Sequence, residues 1–150
     1  MKQIYLATDH AGFALKEELF AYLKNKGHDV VDCGATALNQ NDDYPDFIKL
    51  AAKAVSEQPE MRCAIVLGGS GTGEAIVANR FPHVRCVVYN GGPREIITLS
   101  REHNDANILS FGARFVDTAT AISVVESWLS TDFSRDERHV RRIAKIEELH

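Results

Sequence analysis

The chain is short of cysteine, tryptophan and proline, with three, one and four respectively in 150 residues, and it has no excess of basic residues. Cys33, Cys63 and Cys86 are odd in number, widely spaced and contain no Cys-x-x-Cys pair, which argues against a disulfide framework and against a structural zinc site. No apolar run reaches the roughly 18 residues that a membrane helix needs. The opening Met1-Lys2-Gln3-Ile4 enters a strand rather than a signal peptide. A reducing, cytoplasmic setting is therefore expected. Seventeen Lys and Arg against 21 Asp and Glu leave a net charge of −4, a poor match to nucleic acid. Hydrophobic residues at 45% and charged residues at 25% exclude a disordered chain and a coiled coil. There is no internal repeat, no low-complexity tract and no linker, so one domain over 1–150 is expected.

What is present is an alternation of short apolar runs with longer segments of helical period. Residues 3–8, 28–33, 62–67, 85–89 and 107–111 read as strands. Between them, Leu15, Leu19, Tyr22 and Leu23 share one face of a helix over 12–26, and Gly27 stops it. Residues 34–44 are polar and loop-like. Pro45 suits a first helical turn, after which Ile48, Ala51, Ala52 and Val55 form the next stripe. Further helices are expected at 74–80, 93–103, 117–130 and 134–149, the last charged and only weakly apolar. Strands alternating with helices imply an α/β, doubly wound, three-layer α/β/α sandwich around a five-stranded parallel sheet (Rossmann-like), with an extra C-terminal helix. Ligands in such folds bind beyond the carboxyl ends of the strands. That points to Asp9-His10, to Gly68 through Glu74, to the segment after Tyr89 and to Gly112 through Arg114.

Gly68-Gly69-Ser70-Gly71-Thr72-Gly73 joins a strand to a helix. Glycines let the backbone turn tightly and expose successive N–H groups, and a helix start adds partial positive charge. The loop therefore suits an anion: a phosphate, a carboxylate or a developing enolate oxygen. It is not a P-loop, because Glu74-Ala75 stands where lysine and a hydroxyl residue are required. It matches the dinucleotide fingerprint only approximately, and no acid ends the following strand at Tyr89. Glu74 reads either as a surface glutamate well placed on the helix dipole or as a general base facing a substrate on the loop; the residues alone leave both open.

Other candidates carry similar pairs of readings. His103, in His103-Asn104-Asp105, is a proton-transfer group or a capping or core histidine. Asp9 is a site residue or a helix N-cap. Arg138 and Arg142, at i and i+4, are a solvated helix face or a bidentate phosphate site. The three cysteines fall in expected strands and read as small buried hydrophobes. A non-catalytic module for a phosphorylated metabolite would keep the glycine cradle and discard Glu74 and His103 as chemistry.

Taken together, these pieces resemble the B-type ribose-5-phosphate isomerases and their sugar-phosphate isomerase relatives, including the subunits of galactose-6-phosphate isomerase. The marks are Thr8-Asp9-His10-Ala11-Gly12, Asp43-Tyr44-Pro45, Gly68 through Glu74, Ser100 through Asn107, Phe111-Gly112-Ala113-Arg114, and Arg138-His139 with Arg142. The resemblance implies a cofactor-independent, metal-free aldose–ketose isomerase working through an enediolate, with ribose 5-phosphate as leading substrate. Allose, galactose or tetrose phosphates are the alternatives. One branch of the family uses a cysteine at the place of Gly68; this chain resembles the other, with Glu74 as base. The resemblance further makes the Gly69, Ser70, Gly71, Thr72 and Gly73 backbone an anion hole, with Ser70 grouped among the catalytic residues. His103 would open the sugar ring. Asp9, His10 and Asn104 would hold hydroxyls, and Arg114, Arg138 and Arg142 the phosphate. It implies homodimers, sometimes tetramers, with sites shared between subunits. Asn90 through Ile97 departs from the family pattern and bears on which sugar is bound.

Overall fold

The computed structural model describes residues 2–149, and its elements follow the expected alternation. Strands are β1 (Gln3–Thr8), β2 (Val30–Asp32), β3 (Arg62–Gly68), β4 (Cys86–Tyr89) and β5 (Ile108–Gly112). Helices are α1 (Phe13–Asn25), α2 (Tyr44–Glu57), α3 (Thr72–Ala78), α4 (Glu95–Asn104), α5 (Thr118–Ser130) and α6 (Glu137–Glu147). Every strand pair is parallel, in the order β2-β1-β3-β5-β4. The five-stranded α/β architecture expected from the sequence is the one observed.

Several boundaries differ for local reasons. The second strand narrows from 28–33 to Val30–Asp32, because Gly27 (φ +83°) closes α1 and the His28 N–H still donates to Leu23 at 3.1 Å. The first helix starts with a separate 3-10 turn, His10–Gly12, capped by the Asp9 carboxylate. The helix expected at 93–103 starts two residues later and ends one later, since Pro93 and Arg94 form its entry turn and Asp105 (φ +44°) ends it. Cys33 lies past β2 and, like Cys86, is half-buried; only Cys63 is buried, which corrects the expectation for the other two.

Successive side chains of a strand point to opposite faces, and both faces here are covered, so the central strands read as unbroken apolar runs. Leu6, Ile65, Leu67, Leu109 and Phe111 face α1, α4 and α5, where Leu19, Ile97, Val125 and Trp128 complete one core. Ala7, Ala64, Val66 and Ile108 face Ile48, Ala51, Ala52 and Val55 of α2 and Ala78 of α3. Each large aliphatic or aromatic side chain buried this way contributes about 1.5–3 kcal/mol. The helix α6 stands apart. His139 is its buried residue, and Val140 and Ile146 remain exposed. Among the described residues no helix is long and apolar enough to cross a membrane.

The chain leaves β1 toward β2 on one side, while β3 lies on the other. That reversal opens a crevice beyond the carboxyl ends of β1 and β3, where Asp9 and the glycine loop emerge.

Candidate active site

The β3–α3 loop is shaped by its carbonyls. Gly68 O accepts from Ala113 N (2.8 Å), Gly69 O from Arg114 N (3.2 Å), and Gly71 O from the Ser110 hydroxyl (2.7 Å). With the carbonyls tied back to β5 and its exit, the N–H groups of Gly69, Ser70 and Gly71 have no acceptor among the described residues. Gly71 has φ +79°, and a Cβ there would lie 2.8 Å from the Phe111 carbonyl carbon, so only glycine holds this turn. The exposed Ser70 Oγ accepts from Thr72 N (3.3 Å). A Cβ on Gly73 would meet the Tyr44 ring at 2.8 Å, which packs α2 against the start of α3.

Glu74 sits in the first turn of α3 and is 4% exposed. Its carboxylate folds back over the end of β3: a Cβ built on Gly68 would fall inside it. Burial, the dominant cause, raises its pKa; a hydrogen bond from its own backbone N–H opposes this, and the negative charge of Asp9 adds to it. Of the two readings open to this residue, the surface glutamate is the one the geometry discards.

Asp9 is also buried, its Oδ1 accepting from Ala11 N at 2.9 Å. His10 points its Nδ1 at Asp42 Oδ1 (2.6 Å), with Asp9 Oδ2 farther away at 3.8 Å. The Arg114 side chain lies over Gly69. Asp9, His10, Tyr44, Ser70, Glu74, Arg114 and Phe115 line one open cavity of about 380 Å³. Asp9, His10 and Asp42 place ligand-type atoms within 4.8 Å of one another, a spacing that suits a cation. The short Asp42 contact already engages Nδ1.

The remaining candidates are elsewhere. His103 and Asn104 end α4, which carries the chain from the carboxyl end of β4 back to the amino end of β5. A five-residue strand is roughly 17 Å long, so these residues lie at the opposite ends of the strands from Glu74. Arg138 and Arg142 are exposed on α6, which is joined to the same place: the His103 and His139 rings are 4.3 Å apart. One chain thus gathers Asp9, His10, the glycine loop, Glu74 and Arg114, and keeps His103, Asn104, Arg138 and Arg142 apart from them. Asp42 was missed by sequence reasoning. Its only signal was a polar stretch, 34–44, too long for a simple turn. Asn90, from the atypical segment, borders the loop, its amide donating to Ser70 O at 3.4 Å.

Comparison with known proteins gives a consistent result. A sequence model of the family described as Ribose/Galactose Isomerase matches residues 4–146. Ribose-5-phosphate isomerase B of Mycolicibacterium paratuberculosis is 42% identical over 141 residues, 94% of this chain and 87% of that protein. The protein of the same name from Escherichia coli is 37% identical over 150 residues, 99% of this chain and 98% of that one. The crystal structure of the Mycoplasma genitalium isomerase with bound ribulose-5-phosphate superposes with a TM-score of 0.93 at 35% identity, over 98% of this chain and 95% of that one.

Proposed function

The chain belongs to the ribose/galactose isomerase family, and we propose that it interconverts ribose 5-phosphate and ribulose 5-phosphate with Glu74 as the proton carrier. It is an aldose–ketose isomerase. In the open-chain aldose, Glu74 takes the proton from C2. The C–H electron pair forms a C1–C2 double bond, and negative charge moves onto the C1 oxygen. The N–H groups of the Gly69–Gly73 loop hold that enediolate oxygen. The hydroxyl proton passes from O2 to O1, and Glu74 returns its own proton to C1, giving the ketose. Protons and electrons balance without a cofactor.

The observation that carries this reading is a buried carboxyl beside backbone N–H groups that lack acceptors. Preorganised donors matter most where charge develops, and losing one typically costs ~2.7–4 kcal/mol. A positioned base contributes ~10²–10⁴-fold, most efficiently when its pKa lies near the working pH; burial moves Glu74 in that direction. Asp9 and His10 hold sugar hydroxyls, and Arg114 contributes to the phosphate from the same chain.

The ring-opening and phosphate groups His103, Asn104, Arg138 and Arg142 come from a second copy of the chain, so the working unit is a homodimer with shared sites. The opposite placement of the two residue sets supports this. So do the apolar side chains left exposed beside them, Ile96 and Leu99 on α4 and Val140 and Ile146 on α6. A dimer buries such faces.

The test is a folded Glu74→Gln variant assayed on ribose 5-phosphate and on allose, galactose and tetrose phosphates. Loss of at least ~10²-fold on every substrate the parent turns over is expected. Near-parental turnover would remove Glu74 as base.

A further inference from the structure

We infer that Asp42 is a positioning residue for His10, fixing which imidazole nitrogen reaches the substrate. This rests on the isomerase reading of the cavity. The polar segment between β2 and α2 is brought back over the end of β1, beginning with Ala35 N donating to Thr8 O at 3.0 Å. Near its end, Asp42 Oδ1 meets two nitrogens of one residue: it accepts from the His10 backbone N–H (3.1 Å) and lies 2.6 Å from His10 Nδ1. An ionised carboxylate only accepts hydrogen bonds, so Nδ1 must carry the proton. The ring has two nitrogens, and anchoring one defines the role of the other. In the neutral ring Nε2 is left as an acceptor, on a side chain that lines the cavity and remains 28% exposed. There it takes a hydrogen bond from a sugar hydroxyl and holds the open chain against Glu74.

Only one oxygen of Asp42 engages His10. Asp42 Oδ2 is buried and has no partner, one of three such side-chain atoms among the described residues. The side chain as a whole is 9% exposed. Asp9 does not substitute for Asp42, since its nearer oxygen is 3.8 Å from Nδ1.

Two measurements decide the matter. The first is the ¹⁵N spectrum of the His10 ring in the parent, at a pH where the ring is neutral. It is expected to show the proton on Nδ1, and in Asp42→Asn a mixture of both tautomers. A parent ring protonated on Nε2 overturns the inference, whatever the activity. The second is a double-mutant cycle on ribose 5-phosphate. Asp42→Asn is expected to lower kcat/KM by about 10–100-fold, the usual scale for a residue acting through another. In a His10→Ala background it is expected to change kcat/KM by less than about 2-fold, and its Tm is not expected to fall. Equal losses in both backgrounds, or no loss in the parent background, overturn the inference. Failure of the underlying reading looks different: Glu74→Gln would then keep its turnover while the tautomer result stood.

Discussion

Two inactive variants should restore each other when mixed. In one chain Glu74 lies beyond the carboxyl ends of the strands and His103 by their amino ends, with a five-residue strand spanning roughly 17 Å between those ends. In the proposed two-fold dimer, each site would take its base from one chain and its ring-opening imidazole from the other. Glu74→Gln and His103→Asn homodimers carry one lesion in every site and are both dead. After random exchange, about half the dimers are mixed, because isologous pairing treats both chains alike. In a mixed dimer one site collects both lesions and the other collects none. About a quarter of all sites are therefore whole, and activity should recover to about 25% of parental, with kcat per intact site and KM unchanged. The assay is ribose 5-phosphate turnover before and after subunit exchange, with exchange verified by mass spectrometry of differently tagged chains. Glu74→Gln mixed with Asp9→Asn is the control. Those two side chains share a cavity within one chain, so every site of a mixed dimer keeps one lesion and no recovery is expected. If exchange occurs and the Glu74→Gln and His103→Asn mixture stays at the sum of its parents, the shared site is refuted.

The pKa of Glu74 is raised above the ordinary carboxyl value of 4.5, so the folded chain binds this proton more tightly than the unfolded chain does. The group adds to stability as pH falls through the folded value and subtracts from it as pH rises. Glu74→Gln should therefore melt above the parent at pH 7.5, and the gap should close as pH approaches 4.5; a variant melting lower at pH 7.5 contradicts the burial argument. Gly68→Ala places a Cβ inside the Glu74 carboxylate and expels it from its seat. The carboxylate is the free end of its side chain and can swing aside, so Tm should change little while turnover drops by at least ~10²-fold, measurable by thermal melting and steady-state assay; parental turnover would show that the carboxylate does not work from this position.

The fold was legible because each core-facing run obeys one period. The apolar stretch Cys63 to Leu67 is buried on both sheet faces, and Ile48, Ala51, Ala52 and Val55 line one side of α2. Strand ends pointed to Asp9, the glycine loop and Arg114, because ligand crevices in parallel sheets follow strand direction. The same rule places His103 at the far ends of the strands: it ends a helix that precedes a strand, so its distance from Glu74 within one chain follows from topology. What sequence does not carry is the path of an irregular loop. Residues 34–44 have no period, and their role depends on where Asp42 lands, which hydrogen bonds to β1 and His10 decide. The pairing of His103 with His139 was hidden likewise, because α6 has few buried residues to fix its docking.

Gly68 and Glu74 are best understood as competitors for one volume. In the branch of the family with a cysteine at this position, the thiol would project from the end of β3 into the space that the Glu74 carboxylate fills here. Both groups emerge beside the same unpaired N–H groups, so either one reaches a carbon next to an oxygen held on the loop. The two cannot be present together in this geometry, since even a methyl group at 68 overlaps the carboxylate. The absence of a side chain at 68 leaves the space that the Glu74 carboxylate fills from the first turn of α3, as the proposed base requires. Delivery from a helix also fixes the cost and the benefit. Burial opposes ionisation of Glu74, its own backbone N–H favours it, and the balance raises its pKa, the direction that suits the proposed base.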